Sequence, residues 1–193
     1  MYFESALAAL IVGALLGGSF KKLLELRVRF IWALAASLIV SLLPRIPAVG
    51  AVLVTLGEPA AVSAAVLRYG FLLIFAAANI RCIPVCVIGA GGLLNAAAML
   101  ANSGRMPVAA SALASGGKSA AALEAGKIFN YVPASASTRL YPLCDIIRAR
   151  GFGVYYLSAG DIVISAGVFL LIIALMQPKR LRRRGAQGGG HDD

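Results

Sequence analysis

The chain has 193 residues, 60% hydrophobic and only 13% charged, with a mean hydropathy of +0.87. A water-soluble domain of this length cannot hide so much apolar surface, so the composition excludes an ordinary cytosolic enzyme and makes the bilayer the solvent. The formal charge of +10 does not point to nucleic acid: the basic residues stand in the gaps between apolar runs, with no aromatic-interleaved patch, and flanking bases mark membrane orientation.

Five apolar runs follow in chain order, at 4–20, 28–44, 60–80, 83–102 and 159–177, each near the ~20 residues a helix needs to cross hydrocarbon. The first is preceded by Glu4 and followed by Lys21 and Lys22. A secretory leader carries positive charge ahead of its apolar core, and none stands before residue 21, so this run is expected to remain as a helix. Its Gly13 and Gly17 fit a small-xxx-small contact. The second run is the shortest, and Leu23, Leu24 and Leu26 can lengthen it. Between it and the third lies "IPAVGAVLVTLGEP" (46–59), itself apolar and able to dip into the membrane.

The third helix is expected to begin near Pro59, which puts Arg68 roughly 13 Å along it at 1.5 Å rise per residue. A charge at that depth costs on the order of 3 kcal/mol, so Arg68 should snorkel outward or pair with Asp145 or Asp161. In the fourth run, helical spacing gathers Gly91, Asn95, Ala98 and Asn102 into a small, polar stripe, with Leu93, Ala97 and Leu100 opposite. Such a stripe lets a neighbouring backbone approach while the amides hydrogen-bond across. Gly104 then supplies a C-terminal turn, Pro107 forbids continuation, and Arg105 emerges at the face.

Residues 103–157 make a long segment between the last two runs. Within it, "AALEAGKIF" (121–129) has helical spacing, whereas "YVPASASTRLYPLCD" (131–145) should be irregular and folded against the membrane face, with Tyr131, Leu140, Leu143 and Ile146 arguing for order. Gly117-Lys118-Ser119 imitates a phosphate loop, but Ala112 stands where that loop needs its first glycine, and no strand precedes it, so nucleotide binding is rejected. Cys82, Cys86 and Cys144 form no disulfide framework or metal set, and the only histidine is His191. Ser158 and Asp161, three apart at the start of the fifth run, have capping-box spacing: hydroxyl and carboxylate each answer the other's backbone N–H.

Orientation follows from the basic clusters. Lys179, Arg180, Arg182, Arg183 and Arg184 should be cytoplasmic, and with four crossings between them Lys21, Lys22, Arg27 and Arg29 fall on the same side. The N-terminus is then outside.

"LLNAAAMLANSGRMPV" (93–108), "TRLYPLCD" (138–145) and "LSAGDIVISAGVFLLI" (157–172) resemble, in order and spacing, an uncharacterised family of small bacterial integral membrane proteins defined as a domain of unknown function. The chain departs at Ser103, where the family pattern carries a second glycine. The resemblance implies a bacterial, multi-pass, all-helical protein with no assigned activity, and signature positions at Asn95, Asn102, Arg105, Met106, Pro107, Arg139, Asp145, Ser158 and Asp161.

The expectation is an all-α, polytopic membrane helix bundle of about five transmembrane helices, N-terminus outside and C-terminus cytoplasmic, with an ordered extracytoplasmic segment at 103–157. Residues 1–178 form one transmembrane domain in the cell membrane, and 179–193 a basic, then Gly-rich, disordered cytoplasmic tail. A polar cluster of Arg68, Asn95, Asn102, Arg105, Arg139, Asp145 and Asp161 is expected at the outer face, the arginines pairing with the aspartates to pin the segment as a lid. No catalytic, cofactor or metal set is found. The reading favoured is a non-enzymatic membrane component or interaction subunit, with the lipid bilayer and a second copy or another membrane protein as partners. The alternatives are a small transporter or lipid-handling protein that binds an anionic headgroup or solute, and a membrane enzyme with an Asp base.

Overall fold

The computed structural model describes residues 2–21, 28–114, 118–150 and 154–176. The basic residues Lys22 and Arg27, the leucines at 23, 24 and 26, and the whole tail from 177 lie outside the described residues.

The helices are α1 (Tyr2–Leu15), α2 (Ile31–Leu42), α3 (Pro47–Ala78), α4 (Ile83–Ala101), α5 (Ala110–Ala114), α6 (Lys118–Glu124) and α7 (Ala159–Met176). Three of them, α3, α4 and α7, are long and apolar enough to cross a membrane, while α1 and the Ile31–Arg45 stretch are shorter apolar helices. The expected first run thus yields a helix that ends at Leu15, with Gly17 in the left-handed region at φ 78°. The architecture is an all-α bundle whose main contacts run in the order α1, α7, α4, α3, α2.

Neighbouring directions follow from which residues meet. Tyr2 reaches Asp161 and Gly13 lies against Met176, so α1 runs parallel to α7. Gly160 meets Gly91 whereas Gly167 meets Ile88 and Pro84, so α7 is antiparallel to α4. Gly92 packs on Leu72 and Gly104 on Ala61 and Val62, which makes α4 antiparallel to α3. Trp32 stacks edge-on against Phe71 at 6.2 Å and the Arg29 backbone binds Asn79, so α2 is antiparallel to α3.

The apolar stretch before Pro59 is helical. Residues 47–56 form a first arm of α3, and a kink at Gly57 (φ 69°, ψ −144°) turns the chain into the long second arm. Proline 59 is tolerated because it falls in the first turn after the kink, where its missing N–H breaks no helical bond. The first arm leaves Val52 and Leu56 exposed.

The stripe on α4 is one-sided as its spacing predicts: Gly91, Asn95 and Ala98 are buried, Leu93 and Leu100 exposed. The helix stops at Ala101 through two consecutive left-handed residues, Ser103 (φ 55°) and Gly104 (φ 77°), with the Gly104 N–H donating to Met99 O at 2.8 Å. A Cβ on Gly104 would run into the backbone of Ala61 and Val62, so only glycine fits there. Ser103 occupies a conformation that suits glycine too.

Between α4 and α7 the chain is more ordered than its composition suggests. Strands β1 (Met106–Val108) and β2 (Tyr131–Pro133) pair in parallel, and Val108 also bridges to Asp145. A hairpin of β3 (Ile147–Arg150) and β4 (Val154–Leu157) leads into α7. The helical spacing read at 121–129 is realised only as α6, because Gly126 turns left-handed at φ 65°. Leu143 and Ile146 pack against the core cluster of Tyr69, Leu72, Met99, Met106 and Cys144, so the segment is a cap seated on the helices.

Candidate functional site

The start of α7 is where the polar side chains meet. Ser158 and Asp161 form the capping box: the Asp161 N–H donates to Ser158 Oγ at 2.9 Å, and the Ser158 N–H donates to Asp161 Oδ2 at 3.4 Å. Capping does not exhaust them. Ser158 Oγ donates to Asn95 Oδ1 at 2.7 Å, and Asn95 Nδ2 donates to Asp161 Oδ1 at 2.9 Å. The Tyr2 hydroxyl, from α1, donates to the same Oδ1. One amide therefore bridges both members of the box, and its orientation is fixed because only the Nδ2 end can donate to a carboxylate.

This arrangement depends on absent side chains. A Cβ on Gly160 would collide with Asn95 Oδ1, and one on Gly91 would lie 2.6 Å from Gly160 O. The small residues let α7 sink against α4 until its first turn reaches Asn95 rather than the end of α4. Asn95 and Ser158 are essentially unexposed.

Beside this network lies a cleft of about 30 Å³. The helices contribute Arg68, Tyr69, Asn95, Met99 and Asp161, and the cap contributes Met106, Asn130, Tyr131 and Asp145. That volume holds one or two water-sized groups. Arg68 places its guanidinium 4.9 Å from the Tyr69 ring centroid, a cation–π contact, and the Tyr69 hydroxyl donates to Met99 Sδ at 3.5 Å.

Asp145 is the outlier. Its backbone is locked by the cap, with its N–H donating to Pro107 O at 3.0 Å and its carbonyl accepting from Ala109 N at 3.1 Å. The residue is 5% exposed, yet its Oδ1 has no hydrogen-bond partner. Burial first, and the neighbouring Asp161 charge second, push its carboxyl up to about 8, against the lowering effect of Arg68. Burial likewise raises the adjacent Cys144 thiol and the Tyr131 phenol.

Of the residues expected to cluster, Arg68, Asn95, Asp145 and Asp161 converge on the cleft. Asn102 and Arg139 meet elsewhere, through the backbone: Asn102 Nδ2 donates to Arg139 O at 2.8 Å, and the Arg139 N–H donates to Asn102 Oδ1 at 2.9 Å. The Arg139 side chain is exposed. Arg105 is half-buried, and its Nε has no partner. Among the described residues none of these three arginines lies within 4.0 Å of a carboxylate, so the expected ion pairs do not form. The cap is held instead by main-chain bonds, by the Asn102 clamp and by apolar packing.

Sequence reasoning missed Tyr2, Tyr69, Asn130 and Tyr131. Tyr69 follows Arg68 directly and could have been flagged as its aromatic partner; Tyr2, Asn130 and Tyr131 reach the region only through the fold. Cys82, Cys86 and Cys144 are free thiols; Cys144 is fully buried, and Cys86 Sγ donates to Ile80 O. Among the described residues no three His, Cys, Asp or Glu side chains gather as a metal set.

The chain belongs to a family of unknown function, DUF5317, whose pattern matches residues 25–173. That range holds every residue lining the cleft, and leaves Tyr2 outside it. No curated protein and no solved structure matches the chain.

Proposed function

We propose that this chain is a non-enzymatic, multi-pass component of a bacterial cell membrane, in which α1, α2, the second arm of α3, α4 and α7 cross and the cap lies on the outer side. The observation that carries the reading is how Asp161 is used. Its two oxygens accept from Tyr2, Asn95 and the Ser158 backbone, so this carboxylate serves to join three helices. A base needs a free lone pair aimed at a substrate proton, and this group spends its own on the fold.

The directions of the helices support the topology. Alternating helices with α1 parallel to α7 bring Lys21, Arg29, Arg81 and Met176 to one end, where the short basic stretches favour the cytoplasm. The exposed apolar first arm of α3 then lies at the outer interface, available to lipid, to a second copy or to another membrane protein.

The experiment is labelling in intact cells. A cysteine at Ser137 in a background without native cysteines should react with an impermeant maleimide, and one at Gln177 should react only after lysis. The opposite pattern overturns the topology. A cellular phenotype lost in Asp161→Asn at unchanged protein abundance would overturn the structural role.

A further inference from the structure

Two features of the cleft are left over once the helix-joining network is accounted for. Asp145, more than nine-tenths buried, lines it, and among the described residues nothing donates to its Oδ1. Half-buried Arg68 lines it as a cation with, among the described residues, no carboxylate within 4.0 Å. With both aspartates ionised the walls are one positive charge short of neutrality, at a depth where net charge is costly.

We propose that the cleft binds a primary ammonium group, with the Asp145 carboxylate as its charged acceptor and Asp161, Tyr69 and Tyr131 around it. Three constraints select this chemistry. The void has room for one or two water-sized groups, which admits an –NH3⁺ and excludes a trimethylated nitrogen. The missing partner is a hydrogen-bond donor that is also a cation, and an ammonium is both. A hard metal ion calls for six or more oxygens, whereas an ammonium needs about three acceptors and tolerates ring faces for the remainder of its shell.

The groups that face Asp145 fix its proton balance: Arg68 and Tyr69 from α3, Tyr131 from β2 and Asp161 from α7, with Tyr2 from α1 tied to Asp161. Without a bound cation, burial favours a neutralising proton on Asp145. Binding exchanges it: the carboxylic acid and R–NH3⁺ give a carboxylate–ammonium pair and one proton released to water. The amine has two possible sources. It is either a free ammonium or small alkylammonium ion, or the headgroup of an ethanolamine lipid in the outer leaflet, whose phosphate would suit Arg68. This reading goes beyond a purely structural core, which requires no ligand.

The full chain in nanodiscs of phosphatidylcholine is titrated with methylammonium chloride, and thermal unfolding and proton release are followed in weak buffer. Tetramethylammonium and sodium chloride serve as controls. A second arm replaces part of the lipid with phosphatidylethanolamine, and native mass spectrometry counts retained lipid. The expected result is a stabilisation by methylammonium or phosphatidylethanolamine alone, release of about one proton per chain at pH 7, and binding weakened at least about tenfold in Asp145→Asn. A response in the first arm assigns a free ion; retained phosphatidylethanolamine assigns the headgroup. Equal stabilisation by tetramethylammonium, an unchanged response in Asp145→Asn, or no response in either arm overturns the proposal. The proton count on the unsubstituted chain decides the matter even if the variant fails to fold.

Discussion

The two ends of the α4–α7 pair are built from the same device and put to different ends. At the far end Gly167 admits Ile88 and the Pro84 carbonyl, and the gap closes with the Ile88 side chain. At the capped end Gly160 and Gly91 admit each other, and the gap closes with Asn95, Ser158 and Asp161. The apolar end gains stability from dispersion contacts, which tolerate repacking. The polar end gains a single register, because each donor has one acceptor in reach and a slip leaves both unsatisfied in a medium that cannot replace them.

Experiments that separate the two ends follow in order of expected effect. The largest concerns Asp145. Its folded carboxyl sits near 8, above the ordinary value, so the folded state holds a proton that the unfolded chain has lost. Stability is then fully present below about pH 4 and falls as pH rises toward 8, by up to about 1.4 kcal/mol per unit. Denaturant unfolding in detergent across that range should show the slope, and Asp145→Asn should flatten it and be the more stable protein at pH 8. Next is Gly160→Val, whose branched side chain would displace Asn95. Overpacking against backbone should cost about 3 kcal/mol and abolish the monodisperse peak in size-exclusion chromatography. Gly89→Ala in the apolar interior meets the Ala76 Cβ at 2.7 Å but no main-chain atom of the neighbouring helix, and should cost less than Gly160→Val.

Asn95→Leu sharpens the comparison further. It removes the donor to Asp161 and the acceptor for Ser158 while keeping volume, with an expected loss of about 2 kcal/mol in a thermal melt. The double variant with Ser158→Ala should cost less than the two singles summed, since they share one bond. The smallest effect is a gain: Ser103→Gly relieves a left-handed serine and should raise stability by about 0.5–1 kcal/mol.

The same division explains what the sequence discloses. Periodicity and capping are local, so the one-sided stripe of α4, its stop at Gly104, the restart near Pro59 and the Ser158–Asp161 box could all be read from neighbours within a few positions. The partners of those residues could not. Nothing near Asn95 says that α7 docks at its depth, or that Tyr2 arrives from α1. The pairing of β1 with β2 joins residues 25 apart through backbone groups that carry no signature in side-chain type. The arginines misled for a related reason. Charge sign is visible in a sequence, but depth is not, and a guanidinium at the right height chose the Tyr69 ring over a carboxylate.

The row of helices also dictates an order of events during synthesis. The principal neighbour of α1 is α7, and the two stand more than 140 residues apart in the chain. The α2–α3–α4 portion can associate as soon as it is made, but α1 must wait in the membrane until the rest of the bundle has been threaded. Until then its Ser5 hydroxyl and Gly13 face lack the Ser165 carbonyl and Met176 that they meet in the finished fold. The polar cleft is therefore the last part of the molecule to close, and a ribosome stalled before α7 would leave a bundle with a cap and no floor.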